Sequence, residues 1–139
     1  MAIKTASIKI ETKGETDLID ITRMVGNFVK DSEIPSGIVT VFVPGSTAGI
    51  TTIEHEPGAI KDFQRAVNRI APKNIHYDHN ARWGDGNGYS HIRASLLGPS
   101  LTVPFSSSRL LLGTWQQIVL VDFDNRSRKR EVILQIIGE

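Results

Sequence analysis

The four histidines are the side chains in this sequence best suited to chemistry near neutral pH. His76-Tyr77-Asp78-His79 lies in a stretch without periodicity, His91 follows further on, and Glu54-His55 belongs to a separate element. Two or three neutral imidazoles with a carboxylate form a ligand set for Zn2+. There is no H-E-x-x-H and no C-x-x-C. The ligands could therefore converge only through the fold, and the same histidines could instead satisfy loop backbone groups.

Other segments offer weaker chemistry. Gly84-Asp85-Gly86-Asn87-Gly88 is neither a P-loop nor a dinucleotide fingerprint. It reads as a mobile turn beside a site, with Asp85 outside any ligand cage. Pro44-Gly45-Ser46-Thr47-Ala48-Gly49 presents hydroxyls and backbone N–H groups that could meet a phosphate or a carbonyl. Ser46 lacks the G-x-S-x-G context of a triad nucleophile. Arg126-Ser127-Arg128-Lys129-Arg130 is the one basic cluster and reads as a solvated hairpin end, screened by Asp122, Asp124 and Glu131. Trp115 reads as core. Gln116 and Gln117 beside it are unusual where a strand prefers β-branched residues.

The elements that must position these groups follow from periodicity. Ala6, Ile8 and Ile10 alternate with polar residues, predicting a half-buried strand. Thr16 to about Lys30 reads as an amphipathic helix with Asp17 and Asp20 at its N-terminal end. Ile38–Val43 is a β-branched run suited to a strand covered on both faces. Ile50–Glu54 predicts another strand, and Pro57 opens a helix that ends before Pro72. Residues 73–90 read as a long irregular loop of the kind that often carries function. His91–Leu97 fits a short helix or a strand. The remainder reads as β over 100–105, 109–112, 115–124 and 130–137. The expected fold is α+β: a single domain over 1–139, built on one large, mostly antiparallel sheet with helices.

The chain has 139 residues, 16 Lys+Arg against 15 Asp+Glu, and no Cys. A net charge of +1 argues against an electrostatic nucleic-acid surface. Without Cys there are no disulfides, thiolate metal sites or cysteine nucleophiles. No apolar run reaches the roughly 18 residues of a membrane span, and no signal-peptide pattern opens the chain. The expectation is a cytoplasmic protein with neither membrane nor nucleic-acid partners.

Several blocks together resemble the YjbQ-like family, whose members are often called secondary thiamine-phosphate synthase enzymes. These are Ser46-Thr47-Ala48 with Thr51 and Glu54, Tyr77-Asp78-His79, Ser90-His91-Ile92-Arg93-Ala94-Ser95-Leu96-Leu97-Gly98, Gly113-Thr114-Trp115-Gln116, and the terminal Ile137-Gly138-Glu139. The resemblance runs from about Val41 to the end. It implies an α+β sandwich, a homotrimer, and a polar site near the subunit interface. The family's recurring polar residues fall on Thr47, Thr51, Glu54, His79, His91 and Gln116. A divalent metal, zinc by preference, would sit at His79 and His91 with Glu54 nearby. Many members open the first block with His where this chain has Gly45, so His76 or His55 would have to replace a ligand lost there.

The implied reaction joins a pyrimidine diphosphate to a thiazole phosphate and releases pyrophosphate. His79, His91, Glu54 and Gln116 would form the catalytic set, with Ser46, Thr47 and Thr51 against substrate. By residue chemistry Arg93 and Arg109 would take phosphates, and Trp115 or Tyr77 a ring. A metal-assisted hydrolase using His79, His91 and Glu54 is the competing enzyme. A protein that holds a metal or phosphorylated metabolite without turnover is the non-catalytic alternative.

Overall fold

A computed structural model describes residues 1–139. The strands are β1 (Ala2–Thr12), β2 (Asp17–Asp20), β3 (Gly37–Phe42), β4 (Ala48–Ile53), β5 (Ser100–Ser106), β6 (Arg109–Leu110), β7 (Gln117–Asp122) and β8 (Arg128–Gly138). The helices are α1 (Thr22–Asp31), α2 (Pro57–Ile70), α3 (Asp78–Trp83) and α4 (Gly88–Leu97). None is long and apolar enough to cross a membrane.

The expected α+β sandwich is present, but it has two sheets in place of one. A five-stranded sheet runs β1-β8-β3-β5-β6 and a three-stranded sheet runs β2-β7-β4. Every strand pair is antiparallel. The main core lies between the sheets, where Val39, Val41, Leu134 and Ile136 meet Ile50, Ile118 and Leu120, with Val25 and Val29 of α1 packed in. A second cluster lies on the far side of the smaller sheet. There Val119, Val121 and Phe123 pack with Ala94 of α4, against Ile60, Phe63 and Val67 of α2.

This layering corrects several sequence expectations. The strand buried on both faces is β7, whose residues 118–121 alternate between the two cores. β3 buries only Val39 and Val41, and leaves Ile38 and Phe42 on an outer face. The first predicted helix is shorter, because Asp17–Asp20 pairs with β7 as a strand and tertiary pairing overrides helical spacing. Asp20 still stands at the start of the helix that follows, one residue before the cap position Ile21, and accepts from the Thr22 N–H at 2.9 Å. The α2 boundaries agree with the sequence reading, with Pro57 in the first turn and the Glu56 side chain accepting from Ala59 N–H.

The irregular loop of 73–90 contains α3 and the start of α4. Helix α3 stops at Gly84, whose φ of +67° is the left-handed cap that glycine supplies at no steric cost. Gly88 lets α4 begin against α3, since a Cβ there would meet Tyr77 Cβ at 2.7 Å. His91–Leu97 is helical.

Candidate metal centre

Helices α3 and α4 bring His79 and His91 together, with ring centroids 4.4 Å apart. The Gly84–Gly88 turn between them carries the third member, Asp85. One donor atom from each of His79, Asp85 and His91 lies within 4.8 Å of the others. Against the expectation of a turn that contributes no ligand, the structure places the Asp85 carboxylate beside both imidazoles. The turn is also pinned: Asn125 Nδ2 donates to the Asp85 carbonyl at 2.9 Å, and Gly88 N–H donates to Asn80 Oδ1 at 2.8 Å.

Two features of these side chains suit a metal. His91 Nδ1 lies 3.2 Å from the Ser46 carbonyl, which can only accept, so Nδ1 is the donor and Nε2 is the nitrogen left to coordinate. A ligating imidazole held through its other nitrogen by a backbone carbonyl is the usual arrangement at metal sites. His79 Nδ1 is buried and makes no hydrogen bond. It faces Asp85 Oδ1 at 3.4 Å. Two ligands each about 2.0–2.1 Å from a tetrahedral ion stand about 3.3–3.4 Å apart. Beside His91 is a cleft of about 240 Å3, lined by Gly45, Ser46, Ala48, Ala94, Ser95 and Pro99; neither His79 nor Asp85 lines it. Gly45 contributes space there, not a ligand.

A buried ionic network stands behind this cluster. Arg130 grips Asp122 with two bonds, Nε to Oδ2 at 2.8 Å and a terminal nitrogen to Oδ1 at 2.9 Å. Both Asp122 and Asp124 are fully buried. Asp124 pairs with Arg128 at 3.0 Å and accepts from Thr47 Oγ1 at 2.9 Å and Asn87 Nδ2 at 3.3 Å. Burial alone would push the Asp124 carboxyl up, yet the hydrogen bonds from Thr47, Arg128 and Asn87 outweigh it and hold the group below its ordinary value. Through Thr47 and Asn87 the network holds the loop whose Ser46 carbonyl meets His91 and the turn that carries Asp85. The basic run at 126–130 is therefore not a solvated hairpin end, because Arg128 and Arg130 turn inward. The sequence signal for this network was Asp122 and Asp124, two residues apart at the end of an apolar strand, followed by alternating arginines.

The remaining predicted residues are dispersed. Ser46 is at the cluster through its carbonyl and lines the cleft. Thr47 is buried, its hydroxyl engaged by Asp124 and Arg130, so it positions the loop and does not face a substrate. Glu54 is exposed beyond the far end of β4 from Ser46; the six residues of that strand span roughly 20 Å. It is not near His79 and His91.

Gln116 and Trp115 are at the same far end, where Ile53 pairs with Gln117. Gln116 donates to Thr52 Oγ1 at 3.2 Å and accepts from Gly113 N–H at 3.0 Å, closing a turn. It lines a separate groove with Thr51. Trp115, expected in the core, is 74% exposed because its strand begins only at Gln117. Arg109 is exposed on β6, beyond the Gly37 end of β3 and opposite the Phe42 end that leads to Ser46. Arg93 is buried and points away from the histidines, toward α2. His76 pairs with Asp78 at the surface, and His55 Nε2 meets the Leu18 carbonyl, so neither supplies a third ligand.

The family model described as UPF0047 protein YjbQ-like matches residues 6–139. The chain is 36% identical to a UPF0047 protein of Methanocaldococcus jannaschii, over 94% of this chain and 92% of that protein. It is 35% identical to UPF0047 protein YugU of Bacillus subtilis, over 95% and 98%. The crystal structure of a YbjQ-like protein of unknown function from Sulfolobus solfataricus superposes with a TM-score of 0.89 at 32% identity, covering 99% of this chain and 100% of that one. An uncharacterized yjbq/upf0047 family protein of Clostridium acetobutylicum gives 0.87 at 34% identity, covering 95% and 99%. This chain belongs to the YjbQ-like UPF0047 family.

Proposed function

We propose that His79, Asp85 and His91 form a divalent-metal centre, zinc by donor type, and that the chain is a cytoplasmic enzyme acting there on a phosphorylated small molecule. The observation that carries this reading is the buried, unbonded His79 Nδ1 facing Asp85 Oδ1 at 3.4 Å, beside an imidazole already anchored through its other nitrogen. A buried nitrogen with no hydrogen bond is costly, and its one polar neighbour is the Asp85 carboxylate at ion-pair distance; a cation between the two would bond both.

The finer reading is the thiamine-phosphate synthase reaction. The thiazole nitrogen attacks the exocyclic methylene carbon of the pyrimidine diphosphate, the C–O bond breaks, and pyrophosphate leaves with the electron pair. A divalent metal, if held there, would supply positive charge to the leaving oxygens. His79, His91 and Asp85 would hold that metal, while the exposed Ser46 in the cleft offers a hydroxyl to substrate oxygen. One observation favours a second reading. The cleft of about 240 Å3 is below the roughly 300–1,000 Å3 typical of ligand pockets, so it suits one ring or phosphate better than two rings. Metal-assisted hydrolysis of a single phosphorylated substrate fits that volume.

The reading includes a homotrimer, which would enlarge the cleft if it formed there. Its support is an apolar row on the outer face of the large sheet, where Ile3 opposes Ile137 and Ile137 opposes Ile38. These residues are 65%, 39% and 42% exposed. Light scattering giving a monomer at micromolar concentration contradicts the trimer.

The function is tested with zinc-loaded protein given the pyrimidine diphosphate with and without the thiazole phosphate. Thiamine phosphate formed and abolished by chelator supports the synthase. Pyrophosphate released without the second substrate supports the hydrolase. Zinc bound without turnover of either identifies a metal-holding protein, and no bound metal overturns the reading.

A further inference from the structure

The other side of α4 carries a second polar cavity, and its chemistry is different. His91 looks toward Ser46, whereas Arg93, two residues on, is 95% buried on the side facing α2. Its Nε donates to the Ala71 carbonyl at 3.0 Å. Its two terminal nitrogens donate to Thr16 Oγ1 at 3.1 Å and Asn68 Oδ1 at 2.8 Å. All three acceptors are neutral. A guanidinium offers five N–H donors, so two are not used by these bonds. No carboxylate lies within ion-pair distance. Glu15 is on the same wall, but it is engaged by Lys73 at 2.8 Å and the Tyr89 hydroxyl at 3.0 Å. Buried charges are ordinarily paired, and this one has only the Tyr89 ring, 4.8 Å from its centre, besides its neutral acceptors.

In front of the guanidinium is a cavity of about 500 Å3, with no hydrophobic residue in its lining. Glu15, Thr16, Gln64, Asn68, Lys73 and Asn74 form its walls with Arg93. That volume is in the range that holds a small metabolite. The wall is also strained. Glu15 and Thr16 are non-glycine residues at φ +54° and +62°, and such a conformation is unusual for a β-branched side chain. Gln64 and Arg93 hold Thr16 there, through its carbonyl at 3.0 Å and its hydroxyl. Strain of this kind clusters at ligand clamps.

We propose that this cavity is an oxyanion-binding site, in which Arg93 and Lys73 receive the phosphate or carboxylate group of a small metabolite and the amides of Gln64, Asn68 and Asn74 surround it. The planar fork of Arg93 matches either group in a bidentate pair. The site is separate from the histidine cluster and does not depend on a metal there.

The test is calorimetric titration of chelator-treated protein with inorganic phosphate and, separately, with acetate, at constant ionic strength. The expected result is saturable binding of one equivalent of at least one anion, and the anion that binds identifies the group. Asn68→Asp places a carboxylate against the guanidinium; it should keep the fold and weaken binding at least tenfold. Lys73→Gln should weaken it severalfold. A His79→Ala variant should bind the anion like the parent, which separates this site from the metal centre. Failure of both anions to bind saturably overturns the proposal. So does binding that is unchanged in both Asn68→Asp and Lys73→Gln, whether or not zinc binds at the histidines.

Discussion

Asp122, Asp124, Arg128 and Arg130 stand on one side of Thr47, and His79, Asp85 and His91 on the other, so two ionisable clusters share one end of the molecule. In the first, both carboxylates are fully buried and multiply bonded, and only Arg128 Nε lacks a partner. In the second, the side chains are half-buried or exposed, donor atoms converge, and a buried nitrogen faces a carboxylate without a bond. Each cluster leaves one buried nitrogen without a hydrogen bond, so the difference lies in the carboxylates: buried and multiply bonded at Asp122 and Asp124, exposed at Asp85. The first cluster acts as a strut, and the second is the one proposed to bind a metal.

The largest effect should come from breaking the strut. Asp122→Ala leaves Arg130 buried without its bidentate partner and should cost about 3–5 kcal/mol in urea unfolding. Removing a ligand should do the reverse: His79→Ala or His91→Ala should lower zinc affinity roughly 100-fold or more, beyond the 10–100-fold loss usual for outer-shell partners. Folding stability should stay within about 1 kcal/mol, because neither imidazole is fully buried. A large stability loss in the histidine variants would erase the distinction between the two clusters.

Thr47→Val probes the join. It leaves Asp124 without one hydrogen bond and should cost about 1–3 kcal/mol, with a smaller loss of zinc affinity than either histidine variant.

Acid should act on the strut as well. The native Asp124 carboxyl is held below the ordinary carboxylate value near 3.8. Its contribution to stability is therefore complete above about pH 4–5 and lost as pH falls through the lower native value. Urea midpoints measured from pH 5 down to pH 2 should fall more steeply for the parent than for Asp124→Asn. The smallest effect belongs to Glu54→Gln, which should leave zinc affinity unchanged because Glu54 lies at the far end of β4.

Part of this architecture was legible in the sequence. The alternation of Ala6, Ile8 and Ile10, the spacing of Ile60, Phe63 and Val67, and Pro57 at a helix start all reflect local periodicity, and those elements form. The pairing of His79 with His91 came from matched family blocks. What was lost depended on long-range contact. Asp17–Asp20 becomes a strand only because β7 lies beside it, and the second sheet follows from that pairing.

Asp85 looked like a turn residue because a glycine-rich pentapeptide says nothing about which side chain faces a neighbouring helix. Glu54 was drawn toward the histidines by its family block, although β4 carries it away from them. Arg128 and Arg130 looked solvated because their partners, Asp122 and Asp124, also looked like surface charges. Each made the other's burial possible, and a linear reading has no term for that reciprocity.

X-ray absorption at the zinc edge of the loaded protein tests the central claim most directly. The account predicts two imidazole nitrogens and one carboxylate oxygen at about 2.0–2.2 Å, with the remaining position filled by solvent. In Asp85→Ala the carboxylate oxygen should disappear from the shell while both imidazoles remain. A shell without two imidazoles, or one that Asp85→Ala leaves unchanged, would contradict it.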